Sequence, residues 1–217
     1  MSGLYTIYLV EDHPLMREGL AMVLENYKEF KVIGWSETLS QALQEIPKLK
    51  PQGVVVDLTL KDGDGLEVVQ FLSKNYPKIA ILVLSMHDEE LYAERAIQAG
   101  ALGYLMKEES SETFIQALKT VLAGEVYLSS RISKRLLFQM ARGKQEDQEG
   151  VQQLSQREFE IFRLLGQGFK NKEIAEKLCL SPKTVETYRE RIKIKLGFQC
   201  SAEVVRYAIQ WWKDHEG

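Results

Sequence analysis

The chain has 217 residues, a formal net charge of −3 and only two cysteines. This length allows two modest domains with a core each, and no apolar run approaches the roughly 20 residues that a membrane-spanning helix needs. The lone Cys179 and Cys200 exclude a disulfide framework and a cysteine zinc site, and they suit a reducing compartment. We therefore expect a cytoplasmic protein with no signal peptide and no membrane segment.

The charge is distributed unevenly along the chain. Residues 1–150 contain 16 Lys and Arg against 22 Asp and Glu, for a net charge of −6, whereas residues 151–217 contain 12 against 9, for +3. An acidic segment binds nucleic acid poorly because phosphates repel it, and a basic segment can bind it. The sequence thus predicts that any contact with nucleic acid lies in the second part.

Short apolar segments alternate with amphipathic segments through the first 124 residues. Strand patterns cover residues 5–10, 31–35, 54–56, 79–84 and 102–106, and helix patterns cover 15–27, 40–46, 66–76, 90–99 and 112–123. Five strand–helix repeats with apolar strands are typical of a parallel sheet with helices on both faces. We predict an α/β domain with a doubly wound, five-stranded parallel sheet.

Polar side chains follow four of these strands at the point where each strand ends. Glu11 and Asp12 follow the first strand, Asp57 the third, Ser85 the fourth and Lys107 the fifth. The carboxyl ends of parallel strands meet at one edge, where ligands bind. Clustered carboxylates raise a pKa or recruit a cation, and oxygen ligands favour Mg²⁺.

This arrangement suits a carboxylate nucleophile, Asp57, that accepts a phosphoryl group. Lys107 would neutralise the phosphoryl oxygens, and Ser85 would donate a hydrogen bond. Each residue alone also has an ordinary interpretation: a cap or turn former, a solvated acidic pair, or the lysine of a common ion pair. Their convergence on one sheet edge favours the phosphoryl chemistry.

Residues 4–124 resemble the receiver domain of two-component response regulators, which has a flavodoxin-like fold. The resemblance implies that Asp57 is the phosphoacceptor, that Ser85 and Tyr104 are a switch pair, and that Glu11 reaches Mg²⁺ through water. It also implies direct Mg²⁺ ligands from Asp12, Asp57 and the Thr59 carbonyl. Two positions depart from the usual pattern: Glu108 replaces a common proline, and Lys61-Asp62 replaces a common Pro-Gly. The resemblance rests on Val-Glu-Asp-His-Pro (10–14), Val-Val-Asp-Leu (55–58), Leu-Ser (84–85) and Gly-Tyr-Leu-Met-Lys (103–107).

A basic amphipathic stretch at residues 129–142 predicts a helix, and residues 143–153 have the polar composition of a flexible tether. We therefore divide the chain into a receiver domain at 1–124, a linker with one helix at 125–153 and a smaller domain at 154–217.

The smaller domain reads as four helices that include a helix-turn-helix. Ser155 with Glu158 forms a capping-box pattern before a helix at 156–167; further helices cover 171–178, 183–196 and 202–213. In residues 183–196, Val185, Ile192 and Leu196 share the core side. A hydroxyl-containing and charged stripe faces the other way, as in a major-groove reader or simply a solvated helix. The stripe consists of Lys183, Glu186, Thr187, Glu190 and Ile194, flanked by Arg191.

Residues 154–213 resemble the LuxR-type DNA-binding effector. The matching motifs are Leu-Ser-Gln-Arg-Glu (154–158), Asn-Lys-Glu-Ile-Ala (171–175) and Leu-Ser-Pro-Lys-Thr-Val-Glu (180–186). Tyr188 stands where the family usually has histidine. The DNA-contact residues expected from the stripe and the resemblance are Lys183, Thr184, Glu186, Thr187, Tyr188, Glu190, Arg191 and Lys195.

The two halves together resemble a response regulator of the NarL/LuxR type. This implies a transcription regulator that a histidine kinase phosphorylates, and that binds paired DNA half-sites as a phosphorylated homodimer. We expect no enzyme activity beyond weak self-phosphorylation from small donors and self-dephosphorylation. An aspartyl-phosphate phosphatase is an alternative. Such an enzyme would need a second carboxylate two residues after Asp57 for acid–base catalysis, and that position is Thr59. A second alternative is a constitutive DNA-binding protein whose receiver is only a scaffold.

Overall fold

The computed structural model describes residues 4–87, 89–142, 150–151 and 153–216. The chain divides into two compact units, residues 1–143 and residues 144–217. Among the described helices, none combines the length and apolar character that a membrane crossing requires.

A five-stranded parallel sheet forms the centre of the first unit. Its strands are β1 (Tyr5–Val10), β2 (Phe30–Ser36), β3 (Gly53–Val56), β6 (Ala80–Ser85) and β7 (Gly103–Met106). They lie side by side in the order β2-β1-β3-β6-β7. A two-residue antiparallel ribbon, β4 (Thr59–Leu60) with β5 (Gly63–Asp64), lies in the loop after β3. The predicted sheet is confirmed, and the ribbon was not predicted.

The helices of this unit are α1 (Pro14–Glu25), α2 (Leu39–Leu49), α3 (Gly65–Asn75), α4 (Glu89–Ala99), α5 (Ser111–Leu122) and α6 (Ser130–Arg142). Every residue of β3 and β6 is buried, because helices cover both faces of the central strands. Apolar side chains of α1 and α5 pack with β1 and β6 in one core cluster that includes Leu20, Leu9, Leu82, Phe114 and Leu118. The packed layers fix the strand ends, and so the loops that follow them.

Helix α6 docks on α4 within the first unit. Ile132 is fully buried, and the Ser129 hydroxyl donates to Glu89 Oε1 at 2.7 Å. Arg131 pairs with the Glu90 carboxylate, and Arg135 donates to the Glu90 carbonyl oxygen. The basic side of α6 therefore meets acidic residues of α4. The predicted tether begins where this helix ends, but residues 143–149 and 152 lie outside the described residues.

The second unit contains α7 (Gln156–Gly166), α8 (Asn171–Lys177), α9 (Pro182–Lys195) and α10 (Ser201–Glu216). The predicted capping box is present at the start of α7: Ser155 accepts from the Glu158 amide, and the Glu158 side chain accepts from the Ser155 amide. Helices α8 and α9 form the helix-turn-helix, and Ser181 caps α9. The core of this unit includes Phe159, Phe162, Ile174, Val185, Ile192, Val204 and Ala208.

Candidate functional site

The sheet delivers three of the predicted site residues to direct contact at its carboxyl edge. Lys107 Nζ lies 2.8 Å from Asp57 Oδ2, and 3.0 Å and 2.7 Å from the two carboxylate oxygens of Glu11. Asp57 is 6% exposed and Glu11 only 2%. Backbone hydrogen bonds hold the loops in place: the Asp57 amide donates to Val10, and the Lys107 amide donates to Ser85. The three elements that carry these charges are therefore fixed by the sheet itself.

Burial governs the electrostatics of this cluster. It raises the pKa of the Glu11 carboxyl, against an opposing hydrogen bond from Lys107. It also raises the pKa of the Asp57 carboxyl, against the Coulombic attraction of the same ammonium. Burial alone would lower the pKa of Lys107, but attraction to Asp57 and Glu11 outweighs it, so that pKa is raised. Lys107 therefore remains charged at neutral pH and favours the ionised form of both neighbouring carboxyls.

The close approach of α3 to Asp57 explains why glycine occupies position 65. A Cβ atom on Gly65 would lie 1.9 Å from the Asp57 carbonyl oxygen, and the Gly65 amide donates to Leu58 at 2.9 Å. Any side chain there would displace the backbone that carries Asp57. The loop's glycine is thus required by packing at the site, because only glycine permits this approach.

The donor set at this edge suits a divalent cation. Ligand atoms of Glu11, Asp12 and His13 lie within 4.8 Å of one another, and Asp12 also raises the pKa of Asp57 through Coulombic repulsion. Buried carboxylates that repel one another gain from a bound cation, and Mg²⁺ prefers such oxygen ligands. The acidic residues therefore fit Mg²⁺. His13 was not among the predicted ligands; its amide donates to Glu11 Oε1 at 3.1 Å.

The predicted switch residues both contact the backbone of His87, which sequence reasoning missed. Ser85 Oγ accepts from the His87 amide at 3.2 Å, and the Tyr104 hydroxyl donates to the His87 carbonyl at 2.7 Å. The His87 ring lies 4.8 Å from the Tyr92 ring of α4, and its Nε2 lies 3.1 Å from Thr59 Oγ1. His87 therefore links the strand end, the loop after Asp57 and α4.

The second unit presents most of the predicted DNA-contact residues on one exposed side of α9. Exposed side chains include Lys183, Glu186, Thr187, Glu190 and Arg191, whereas Thr184 and Tyr188 are half-buried. Of the predicted core residues, Val185 and Ile192 are fully buried and Leu196 is half-buried. One side of α9 therefore packs in the core of the second unit, and the opposite side carries the exposed residues that were predicted to contact DNA.

Lys195 differs from the other predicted contacts. Its Nζ lies 2.6 Å from Glu158 Oε2, the buried carboxylate of the capping box. Arg189, which was not predicted, donates to Asn171 Oδ1 and so ties α9 to the start of α8. Both cations serve packing between helices in this structure.

Comparison with known proteins agrees with both halves. Residues 7–119 match the response regulator receiver domain, and residues 152–208 match the bacterial regulatory proteins of the luxR family. The oxygen regulatory protein NreC of Staphylococcus haemolyticus is 32% identical over 209 residues, which cover 94% of this chain and 96% of that protein. The chain belongs to the LuxR-type response regulators. It is thus a DNA-binding transcription regulator of a two-component system.

Solved structures of similar regulators extend this finding to the fold. RcsB of Salmonella enterica serovar Typhimurium, bound to the promoter P1flhDC with the phosphomimetic BeF3−, has a TM-score of 0.57 and 25% identity, over 96% of this chain and 100% of that chain. A structure of two RcsB dimers on two parallel DNAs has a TM-score of 0.56 and 25% identity, over 94% and 96%. Both matched families are regulators, so the comparisons do not support the phosphatase alternative.

Proposed function

We propose that a histidine kinase transfers a phosphoryl group to Asp57, and that this modification controls DNA binding by the second unit of the regulator. The contact of Lys107 Nζ with Asp57 Oδ2 carries the proposal, because it places a cation beside the carboxylate that directly follows β3, the middle strand of the sheet. The same contact opposes the rise that burial causes in the pKa of Asp57 and so favours the ionised form, which a nucleophile must adopt.

In the transfer, a carboxylate oxygen of Asp57 forms a bond to phosphorus while the phosphorus–nitrogen bond of the phosphohistidine breaks. The electron pair of that bond stays on the imidazole. Lys107 stabilises negative charge on the phosphoryl oxygens, and the Thr59 amide, 3.3 Å from Asp57 Oδ1, orients the carboxylate. Thr59 thus positions the nucleophile and Lys107 neutralises charge on the phosphoryl group, which is most of what phosphoryl transfer requires.

Mg²⁺ would be held by Asp12, Asp57 and the Thr59 carbonyl, with Glu11 acting through water. When bound, it supplies positive charge to the phosphoryl oxygens. Small phosphodonors such as acetyl phosphate would use the same arrangement, and the acyl phosphate would hydrolyse slowly at the same site.

Ser85 and Tyr104 would report the phosphoryl group to α4. Ser85 Oγ accepts from the His87 amide and would donate its own proton to the phosphoryl group, so one hydroxyl would connect that group to His87. Tyr104 holds the carbonyl of the same residue, and α4 begins two residues later. The docked helix α6, which lies within the predicted linker, would then pass a shift of α4 to the tether predicted from residue 143.

DNA binding would follow from dimerisation. Shifting a two-state switch from 1:99 to 99:1 takes about 5.5 kcal/mol of differential stabilisation. A charge-assisted hydrogen bond supplies only about 1.5–3 kcal/mol, so a dimer contact must add to it. Two effectors on half-sites ~34 Å apart would double the base and phosphate contacts. Lys183 and Arg191 would bind phosphates, while Glu186, Thr187 and Glu190 face base edges.

The decisive experiment is phosphoryl labelling of the full-length regulator in the presence of Mg²⁺. We expect Asp57→Asn to abolish labelling by acetyl phosphate or a kinase, whereas the exposed Asp62→Asn should label normally. Labelling of Asp57→Asn at a rate similar to wild type would refute the assignment. The Ser85→Ala protein should be labelled normally but should not gain DNA affinity when it is phosphorylated. If labelling is lost and the remaining phosphoprotein is activated normally, Ser85 serves the transfer and does not report the phosphoryl group.

Sedimentation of the phosphorylated regulator on selected operator DNA tests the dimer. A dimer on paired half-sites is expected. A monomer that binds one half-site equally tightly would end this part of the proposal. Unchanged DNA affinity after phosphorylation would instead favour the constitutive alternative.

A further inference from the structure

The exposed side of α9 begins within the first turns of the helix. Glu186, Thr187 and Glu190 are exposed there, while Val185, between Thr184 and Glu186, is fully buried. In helix-turn-helix proteins the N-terminal residues of the second helix contact base edges in the major groove. The chemistry of these few side chains therefore decides which bases the regulator can read.

Three side-chain donors of α9 are engaged within the protein. Thr187 Oγ1 donates to the Lys183 carbonyl, one turn earlier, at 3.1 Å. Lys193 Nζ pairs with the Glu190 carboxylate, and Arg189 pairs with Asn171. A threonine hydroxyl has a single proton, so Thr187 has none left for a base while this bond persists.

What Thr187 then offers to the groove is its methyl group. The two substituents of its Cβ are the hydroxyl and the methyl, and the hydroxyl is turned back to the helix backbone. The side chain is exposed, so the methyl carbon forms its apolar outer surface. In the major groove, only thymine presents a methyl group, and threonine methyls contact it favourably.

The neighbouring Glu186 carboxylate favours a base with an exocyclic amine, which is adenine or cytosine. Glu186 can only accept hydrogen bonds, so it suits an exocyclic amine and is repelled by the O6 and N7 acceptors of guanine. A thymine methyl and an adenine amine lie on the edge of one A·T pair. The side of α9 around Thr187 is therefore complementary to amine and methyl groups.

We infer that Thr187 recognises the C5-methyl group of one thymine in each half-site, with Glu186 excluding guanine from the adjoining position. This inference rests on the proposed placement of α9 in the major groove. A buried methyl contact corresponds to about a fourfold change in affinity.

The test removes the methyl group from each partner in turn. Operator DNA is selected from random pools with the full-length regulator after treatment with acetyl phosphate and Mg²⁺. Each thymine is then replaced singly by uracil, which lacks only the C5-methyl group. Dissociation constants are measured for wild type, Thr187→Ser and Thr187→Val. Serine keeps the back-bonded hydroxyl and loses the methyl, whereas valine keeps a methyl and loses the hydroxyl.

We expect one thymine per half-site whose replacement weakens wild type and Thr187→Val about fourfold per half-site and leaves Thr187→Ser unaffected. Equal uracil sensitivity of wild type and Thr187→Ser would overturn the inference, because the effect would then come from DNA shape or another residue. An operator bound specifically but without a sensitive thymine would also overturn it, and DNA binding would stand. If wild type selects no sequence, the placement of α9 and the inference both fail.

Discussion

Replacing Lys107 by Met should destabilise the first unit strongly, because it leaves two buried carboxylates facing each other. The lysine side chain is 9% exposed and contacts Asp57 at 2.8 Å and Glu11 at 2.7 Å. Removing one partner of a buried ion pair costs about 3–5 kcal/mol. We expect a loss of that size in the free energy of unfolding at neutral pH without divalent cations.

The loss should depend on pH with a definite sign. Lys107 opposes the raised pKa of both carboxyls, so without it the folded-state pKa values of Glu11 and Asp57 rise further. A carboxyl whose folded-state pKa is raised stabilises the fold below its unfolded pKa, and that contribution disappears as the pH rises through the folded-state value. The deficit of Lys107→Met should therefore be smallest near roughly pH 4, where unfolded carboxyls titrate, and grow towards neutral pH.

Hydrogen exchange of the amides of β3 and β6 in the full-length chain measures this loss within the first unit. Mg²⁺ should stabilise Lys107→Met, by about 2.7 kcal/mol at one hundred times its dissociation constant. Lys74→Met, which removes an exposed lysine from α3, is the matched control and should stay near wild type. A Lys107→Met protein as stable as wild type at neutral pH, or one whose deficit does not shrink on acidification, would refute the reasoning.

Three further changes test separate contacts. Gly65→Ala would place a Cβ atom 1.9 Å from the Asp57 carbonyl oxygen, so the free energy of unfolding should fall by about 1–3 kcal/mol. The initial rate of labelling by acetyl phosphate should fall as well, because the backbone that carries Asp57 is displaced; normal labelling would contradict the close approach. Ile132→Ala should lower the free energy of unfolding by about 2–4 kcal/mol and speed hydrogen exchange of the α6 amides. Arg131→Ala, which removes an exposed ion pair, should lower it by under about 1 kcal/mol. Equal effects would mean that the ion pairs, and not the burial of Ile132, hold α6 on α4. Lys195→Met should lower the free energy of unfolding of the second unit by about 1–3 kcal/mol without changing the salt dependence of DNA binding. If DNA affinity instead became less dependent on salt concentration, Lys195 would be a phosphate contact.

The sheet was predictable because its strands are short apolar runs between polar breaks. Val54, Val55 and Val56 read as a buried strand, and all three are buried in β3. The ribbon of β4 and β5 was not predictable in this way. It consists of two residue pairs in a polar loop, held by backbone groups that every residue type supplies.

The charged cluster was predictable from the ends of the strands, but its connections were not. Lys107 and Asp57 follow strands that end at the same edge, so their contact follows from topology. His87 is joined to Ser85 and Tyr104 through its amide and carbonyl, and such a role leaves no trace in the side chain. The pairing of Lys195 with Glu158, 37 positions away, depends on how α9 packs against α7, which helical periodicity does not specify.

The positions of Glu11, Asp57 and Lys107 along the chain govern when the cluster can exist during synthesis. Lys107 is 96 positions after Glu11 and 50 after Asp57, and it follows β7, the last strand of the sheet and one of its edges. A nascent receiver that has emerged from the ribosome only as far as β6 holds the acidic residues without their cation. If Asp57 is the acceptor, as proposed, a newly made chain would become competent for phosphoryl transfer only after this edge strand has docked.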